Sequence, residues 1–164
     1  MEHPELTESD LRHLRRCVEL AEEASAAGDE PFGSVLAAAD GTALHEDRNR
    51  VVETGDRTRH PELALARWAA ENMAAEDRAE ATVFTSGEHC PMCSAAHGWV
   101  GLGRIVYVHS AAQLAGWLAE MGVPPSPVRP IPIEEVVPDI PVHGPIPDLA
   151  VQVRELHRRF HSGR

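Results

Sequence analysis

Leu11, Leu14, Val18 and Ala21 recur at three- and four-residue intervals, the spacing that gathers apolar side chains on one face of a helix. Thr7 stands three residues before Asp10, an N-cap pair with a shorter acid than the usual Glu or Gln. The pattern predicts a helix over about 8–27, closed by Gly28. Residues 32–39 are a short apolar run, Asp40-Gly41 is a hairpin signal, and 42–49 resumes the chain, so two antiparallel strands are expected. The polar stretch 50–59 reads as a loop. Pro61, suited to a first helical position, opens a helical run over 62–76. A β-prone segment at 81–85 leads to a second Pro-initiated helix from Cys90-Pro91 to about 100. The strongest strand signal is 104–109, with Ile-Val-Tyr-Val at its centre, and a helix over 110–121 follows, ending at Gly122.

Helices placed between strands expected to lie parallel predict a layered α/β sheet. Residues 123–147 break the rhythm, because nine prolines exclude a continuous helix and any central strand. An extended arm docked through Ile131, Ile133, Val136 and Val137 is expected, against the alternative of a mobile linker. Asp148 is expected to cap a last helix to about 160. The organisation is one domain overall: a body over 1–122, a Pro-rich arm over 123–147 and a terminal helix over 148–164.

Composition narrows the function. With 43% hydrophobic and 25% charged residues over 164 positions, the chain is an ordinary globular one. The net charge is −11, and all fifteen cations are Arg. Such a balance speaks against a nucleic-acid partner, since phosphate binding draws on a cationic field. No apolar run is long enough for a membrane helix, and Met1-Glu2-His3 does not read as a signal peptide. Three cysteines make no disulfide framework, so a reducing, cytoplasmic setting is expected.

The chemistry concentrates in His60-Pro61-Glu62 and Cys90-Pro91-Met92-Cys93, each at a strand-to-helix junction. Either segment alone is a weak signal. Together, in this order, they fit the zinc-deaminase pattern of His-x-Glu followed by Cys-x-x-Cys, with His89 where Pro usually precedes the first Cys. One His and two Cys leave a tetrahedral Zn²⁺ one open position, and the ion lowers the pKa of a bound water from ~15.7 toward ~7. Glu62, on the same first helical turn as His60, can reach that water without ligating the metal and act as proton shuttle. Three alternatives stand beside this: a redox pair, a structural zinc closed by His89 or His97, and Glu62 as a mere first-turn acid. Cys17 reads as a small buried apolar residue. Histidines 3, 13, 45, 109, 143, 157 and 161 carry no motif, and most read as surface.

At these residues the chain resembles the cytidine-deaminase-like superfamily, nearest to the branch of bacterial guanine deaminases and tRNA adenosine deaminases. The likeness runs from about Leu11 to Leu118, through Pro31-Phe32-Gly33, Asn49-Arg50, the His60 segment and Thr85-Ser86-Gly87-Glu88-His89-Cys90-Pro91-Met92-Cys93. It implies a three-layer α-β-α sandwich around a five-stranded mixed sheet, assembled as a homodimer or larger. It further implies Zn²⁺ on His60, Cys90 and Cys93, Glu62 as the catalytic acid–base, Asn49 bonded to the substrate ring, and Phe32 and Trp99 against the base. Core packing is the alternative for both aromatics.

Two departures qualify the likeness. The family usually has Ala or Gly where Pro61 stands, with a backbone N–H aimed at the substrate; Pro61 has none to give. Guanine deaminases also add an acid after the fourth strand, where this chain has Ala111-Ala112-Gln113-Leu114-Ala115-Gly116 and only Glu120 nearby. His157 and Phe160, within one turn of each other, offer a lid over the site. The expected activity is zinc-dependent hydrolytic deamination of a free nucleobase or related amino-azaheterocycle, such as guanine, isoguanine or a 5-azacytosine-like ring. A tRNA adenosine deaminase, a nucleoside deaminase and a non-catalytic zinc-stabilised module are the alternatives.

Overall fold

The computed structural model describes residues 6–163, so His3 and Arg164 lie outside the described residues. Helix α1 spans Glu8–Ala26. Its capping box is closed by Asp10: Thr7 Oγ1 accepts from the Asp10 backbone N–H at 3.0 Å, and an Asp10 carboxylate oxygen accepts from the Thr7 N–H at 3.1 Å. The same carboxylate meets Arg104 at 2.7 Å, tying the start of α1 to a distant segment. Strands β1 (Gly33–Ala37) and β2 (Ala43–Arg48) form the expected hairpin. The polar stretch after them holds one helical turn, α2 (Val51–Thr54).

Helix α3 (Pro61–Asn72) stops short of the predicted end, and a separate turn of helix, α4 (Ala75–Glu80), follows. Arg78 supplies the reason, donating to the carbonyl of Met73 at 2.9 Å and reaching those of Ala69 and Ala70, carbonyls a continuing helix would need. Strand β3 (Thr82–Gly87) runs two residues beyond its predicted end. Helix α5 (Pro91–Trp99), β4 (Ile105–His109) and α6 (Ala111–Glu120) lie where the pattern put them.

The sheet has the order β2-β1-β3-β4-β5, with β1 antiparallel to both neighbours and β3, β4 and β5 mutually parallel. This is the five-stranded mixed sheet of the expected α-β-α sandwich. Strand alternation sorts its side chains between two helical layers. Val35, Ala37, Phe84, Val106 and Val108 face α1 and the last helix, meeting Leu14, Cys17, Val153 and Leu156. Leu36 and Val83 face the other way, onto Leu65, Ala66 and Ala69 of α3. Gly33 admits α1 this close, because a Cβ there would strike Leu20 and the Cys17 carbonyl.

The arm is more structured than an extended strap. It holds a helical turn, α7 (Ile133–Val136), and a two-residue edge strand, β5 (Val142–His143), the one sheet position its prolines permit. Ile133 is the buried anchor, packed with Ile105 and Tyr107. Helix α8 (Pro147–Ser162) begins at a proline in its first turn and not at an Asp148 cap; the Ile146 N–H before it bonds the Val108 carbonyl at 2.9 Å. Three α8 side chains, Ala150, Val153 and Leu156, belong to the main core, so this helix is built into the body. The expectation of surface histidines fails at His13, His109 and His157, all of them buried. Among the described residues, no helix is long and apolar enough to cross a membrane.

Candidate metal centre and active site

Two helix starts converge where the N-terminal end of β1 and the C-terminal end of β3 lie side by side. His60 is the N-cap residue of α3 and Cys90 that of α5, each followed by a proline in the first turn, and α3 and α5 pack on each other. His60 Nδ1 lies 3.5 Å from Cys90 Sγ and 3.6 Å from Cys93 Sγ. Zn–S and Zn–N bonds at tetrahedral angles require an N···S edge of about 3.6 Å, so these three side chains fit a zinc ion. Their ligand atoms lie within 4.8 Å of one another, and neither His89 nor His97 joins them. His97 instead bonds the Gly103 carbonyl at 2.7 Å, and His89 packs edge-on against its ring at 5.4 Å. The reading of a site closed by a fourth histidine therefore loses its ligand.

The three donors share their protons unequally, and only Cys90 favours the deprotonated form that a metal takes. Cys93 and His60 both direct hydrogen bonds at Cys90, pulling its thiol down to about 4, and the Cys90 sulfur raises His60 to about 9. Cys93, paired with Cys90 and buried, holds its proton more tightly than a free thiol.

Glu62 is 6% exposed and stands outside the three-ligand cluster. One carboxylate oxygen accepts from Thr85 Oγ at 2.9 Å and from Ser34 Oγ at 3.4 Å, and the two hydroxyls meet at 2.8 Å. Burial raises its pKa above the ordinary carboxylate value, the direction that suits a group required to take up a proton and release it. When bound, zinc supplies Lewis acidity at the point where Glu62 handles protons.

The profile of the family described as "Cytidine and deoxycytidylate deaminase zinc-binding region" matches residues 7–109, which include His60, Glu62, Cys90 and Cys93. The chain belongs to this family. A probable cytosine deaminase of Schizosaccharomyces pombe is 32% identical over 107 residues, 65% of this chain and 64% of that protein. The guanine deaminase of Bacillus subtilis is 36% identical over 107 residues, 63% of this chain and 68% of that protein. A tRNA-specific adenosine deaminase of Agrobacterium fabrum is 35% identical over 104 residues, 62% of this chain and 66% of that protein. The chain thus spans about two thirds of each relative's length, and a little less for the yeast protein.

The other expected site residues divide. Asn49 is 2% exposed at the end of β2; its N–H bonds the Phe32 carbonyl at 3.0 Å and its Oδ1 accepts from the Val51 N–H at 3.0 Å, which orients the side-chain amide. Phe32, half-buried, lies 5.0 Å from the His157 ring and 6.3 Å from that of His109. Trp99 is 89% exposed, so the structure brings it neither into the core nor into the cluster. Glu120 is committed at the surface to Arg154, 2.8 Å away, and supplies no second acid to this pocket. Phe160 packs edge-on against His161 at 5.0 Å, so only His157 of the two lid residues reaches Phe32.

Several contributors carry no motif. Asp29, with its side chain fully buried, accepts from the N–H groups of Val52 and Glu53 and pairs with Arg48 at 2.9 Å. Arg48 also holds the Asn49 carbonyl at 2.8 Å, so Asp29 fixes the turn that presents Asn49. Glu88 bonds the Ala111 N–H at 2.8 Å and the Ile133 N–H at 2.9 Å, anchoring the starts of α6 and α7 two residues before Cys90. Ser34 and His109 belong to no motif either, and Thr85, though inside the segment that carries the resemblance, gives no sign of its bond to Glu62. No composition or spacing signal marks an isolated buried hydroxyl or carboxylate.

Proposed function

We propose that the chain catalyses zinc-dependent hydrolytic deamination of a free nucleobase or related amino-azaheterocycle, with release of ammonia. The observation that carries this reading is Glu62, buried beside a three-ligand cluster and free of it. Glu62 takes a proton from the water that attacks the amine-bearing ring carbon and delivers it to the adjacent ring nitrogen. A second proton passes through the same carboxylate to the departing amine; the C–N bond breaks, a carbonyl forms and ammonia leaves. Thr85 and Ser34 keep the carboxylate aimed throughout.

Electrostatics favours a small base over tRNA. The net charge is −11, and the arginines along α8 are engaged in ion pairs, Arg154 with Glu120 and both Arg158 and Arg159 with Glu155. A homodimer belongs to this reading and is read out by sedimentation. An ammonia-release screen across guanine, isoguanine, cytosine, 5-azacytosine, adenine and their nucleosides tests the whole. Glu62→Ala is expected to lower turnover by about a thousandfold with zinc content unchanged. Wild-type turnover in that variant refutes the mechanism, and a preference for the nucleosides, or for a tRNA anticodon stem-loop added to the screen, refutes the substrate class.

A further inference from the structure

Two buried imidazoles stand beside this pocket without a part in the proton chemistry. His109, at the end of β4, and His157, on α8, are each 1% exposed, with rings edge-to-face at 5.6 Å. Among the described residues, His109 Nε2 and both nitrogens of His157 have no hydrogen-bond partner. Buried polar atoms without partners are uncommon and costly. Trp117 packs behind the pair, 5.0 Å from His109.

The sheet register places them. Thr85, whose hydroxyl holds Glu62, and Gly87 lie two residues apart on β3, so both face the same helical layer. Gly87 is the register partner of His109 on β4. A Cβ on Gly87 would come within 2.7 Å of the His109 ring and 3.2 Å of Phe32, so the absent side chain lets both rings close over the strand. Two strand residues span about 6.6 Å, comparable with the width of a nucleobase. In the inference that follows, a ring whose amine-bearing carbon meets Glu62 directs its opposite edge toward the two histidines.

The tautomer of His109 decides what it recognises. Its Nδ1 lies 3.2 Å from the Ser110 carbonyl, which can only accept, so Nδ1 carries the proton and Nε2 presents a lone pair. Burial holds the His109 pKa down to about 4, and that of His157 is well below its usual value, so both rings are neutral. The far wall thus offers an acceptor on His109 beside one donor and one acceptor on His157. An unsubstituted base carries a ring N–H at the nitrogen that holds the sugar in a nucleoside, with unprotonated or carbonyl acceptors nearby.

Resting on the deaminase reading above, we infer that His109, supported by His157, reads the free N–H of the glycosidic nitrogen and selects bases over nucleosides. His109 is then a specificity-determining residue, distinct from the proton machinery at Glu62. A site built to bond an N–H discriminates strongly against an analogue that lacks it.

The test compares the best base in the ammonia screen with its analogue methylated at the glycosidic nitrogen: guanine with 9-methylguanine, or cytosine with 1-methylcytosine. The wild type is expected to prefer the unmethylated base by about 100-fold in kcat/KM. His109→Phe keeps ring packing and removes the lone pair; it is expected to cut that preference to below about tenfold, chiefly by raising KM for the free base. His109→Gln, which restores an acceptor, recovers part of the preference. Zinc content and melting temperature verify each variant, and His109→Leu, which also lacks the lone pair, carries the comparison if the Phe variant does not fold. An unchanged preference in a folded, zinc-loaded Phe or Leu variant overturns the inference while leaving the deaminase reading intact. Absence of ammonia release from every base by the wild type overturns that reading, and the inference with it.

Discussion

The two ends of this pocket are built in different ways. The metal end comes from two short contiguous segments, each a ligand, a proline and a first helical turn, the His60 segment entered from the loop after α2 and the Cys90 segment from the end of β3. The far wall is assembled from Phe32, Gly87, His109 and His157, which share no motif and meet only when β4 and α8 are in place. The residues proposed for the hydrolytic chemistry are close together in sequence, whereas those inferred to read the substrate's far edge depend on tertiary register. Changes at one end are thus separable from changes at the other.

The largest expected separation follows removal of a ligand. His60→Ala is expected to abolish zinc retention and all ammonia release, with metal content and activity falling together. Each His109 variant keeps its metal. Retention of one equivalent of zinc by His60→Ala would remove His60 from the ligand set.

An intermediate effect is expected at Asp29, which belongs to neither end but holds the turn presenting Asn49. Breaking a buried ion pair from one side costs about 3 kcal/mol, so Asp29→Ala is expected to lower the melting temperature by about 6–12 °C and to raise KM. Burial opposes the Asp29 charge, but the N–H groups of Glu53 and Val52 and the Arg48 guanidinium outweigh it and leave its pKa below the usual 3.8. Its stabilisation is therefore full above about pH 4 and is lost as pH falls through the lowered folded value. Thermal melts from pH 7 to 2 should show less acid sensitivity in Asp29→Asn than in the wild type.

The smallest effect is expected at Pro61, the position where relatives in the resemblance present a backbone N–H to the substrate. Pro61→Ala restores that donor in the first turn of α3. It is expected to reorder the base ranking by a few fold, with little change in stability, since position N1 tolerates either residue. A ranking identical to wild type would show that the missing donor has no part in substrate choice.

Most of the fold was legible in the chain because its signals are local. Helical spacing located α1, paired apolar runs located the β1–β2 hairpin, and Pro61 and Pro91 located the starts of α3 and α5. Legibility failed where a distant residue decided the outcome. Arg78 ends α3 from outside the helix, and Ile146 is held by Val108, so α8 begins before Asp148. The metal ligands were readable because zinc demands particular side chains at particular spacings. His109 and His157 were not, since a histidine without a motif is indistinguishable from a solvated one until burial is known. Trp99 and Glu120 mark the converse case: Trp99, which family likeness set against the base, is exposed, and Glu120, the one acid near the departure after β4, is paired with Arg154.

The double clamp on Glu88 has a mechanical consequence. A single carboxylate, two positions ahead of the first thiolate, tethers the origin of α6 and the turn of the proline arm that carries the buried Ile133. The arm, the first turn of α6 and the approach to the cysteine loop are thereby registered on one side chain, so none of the three is seated independently of the others.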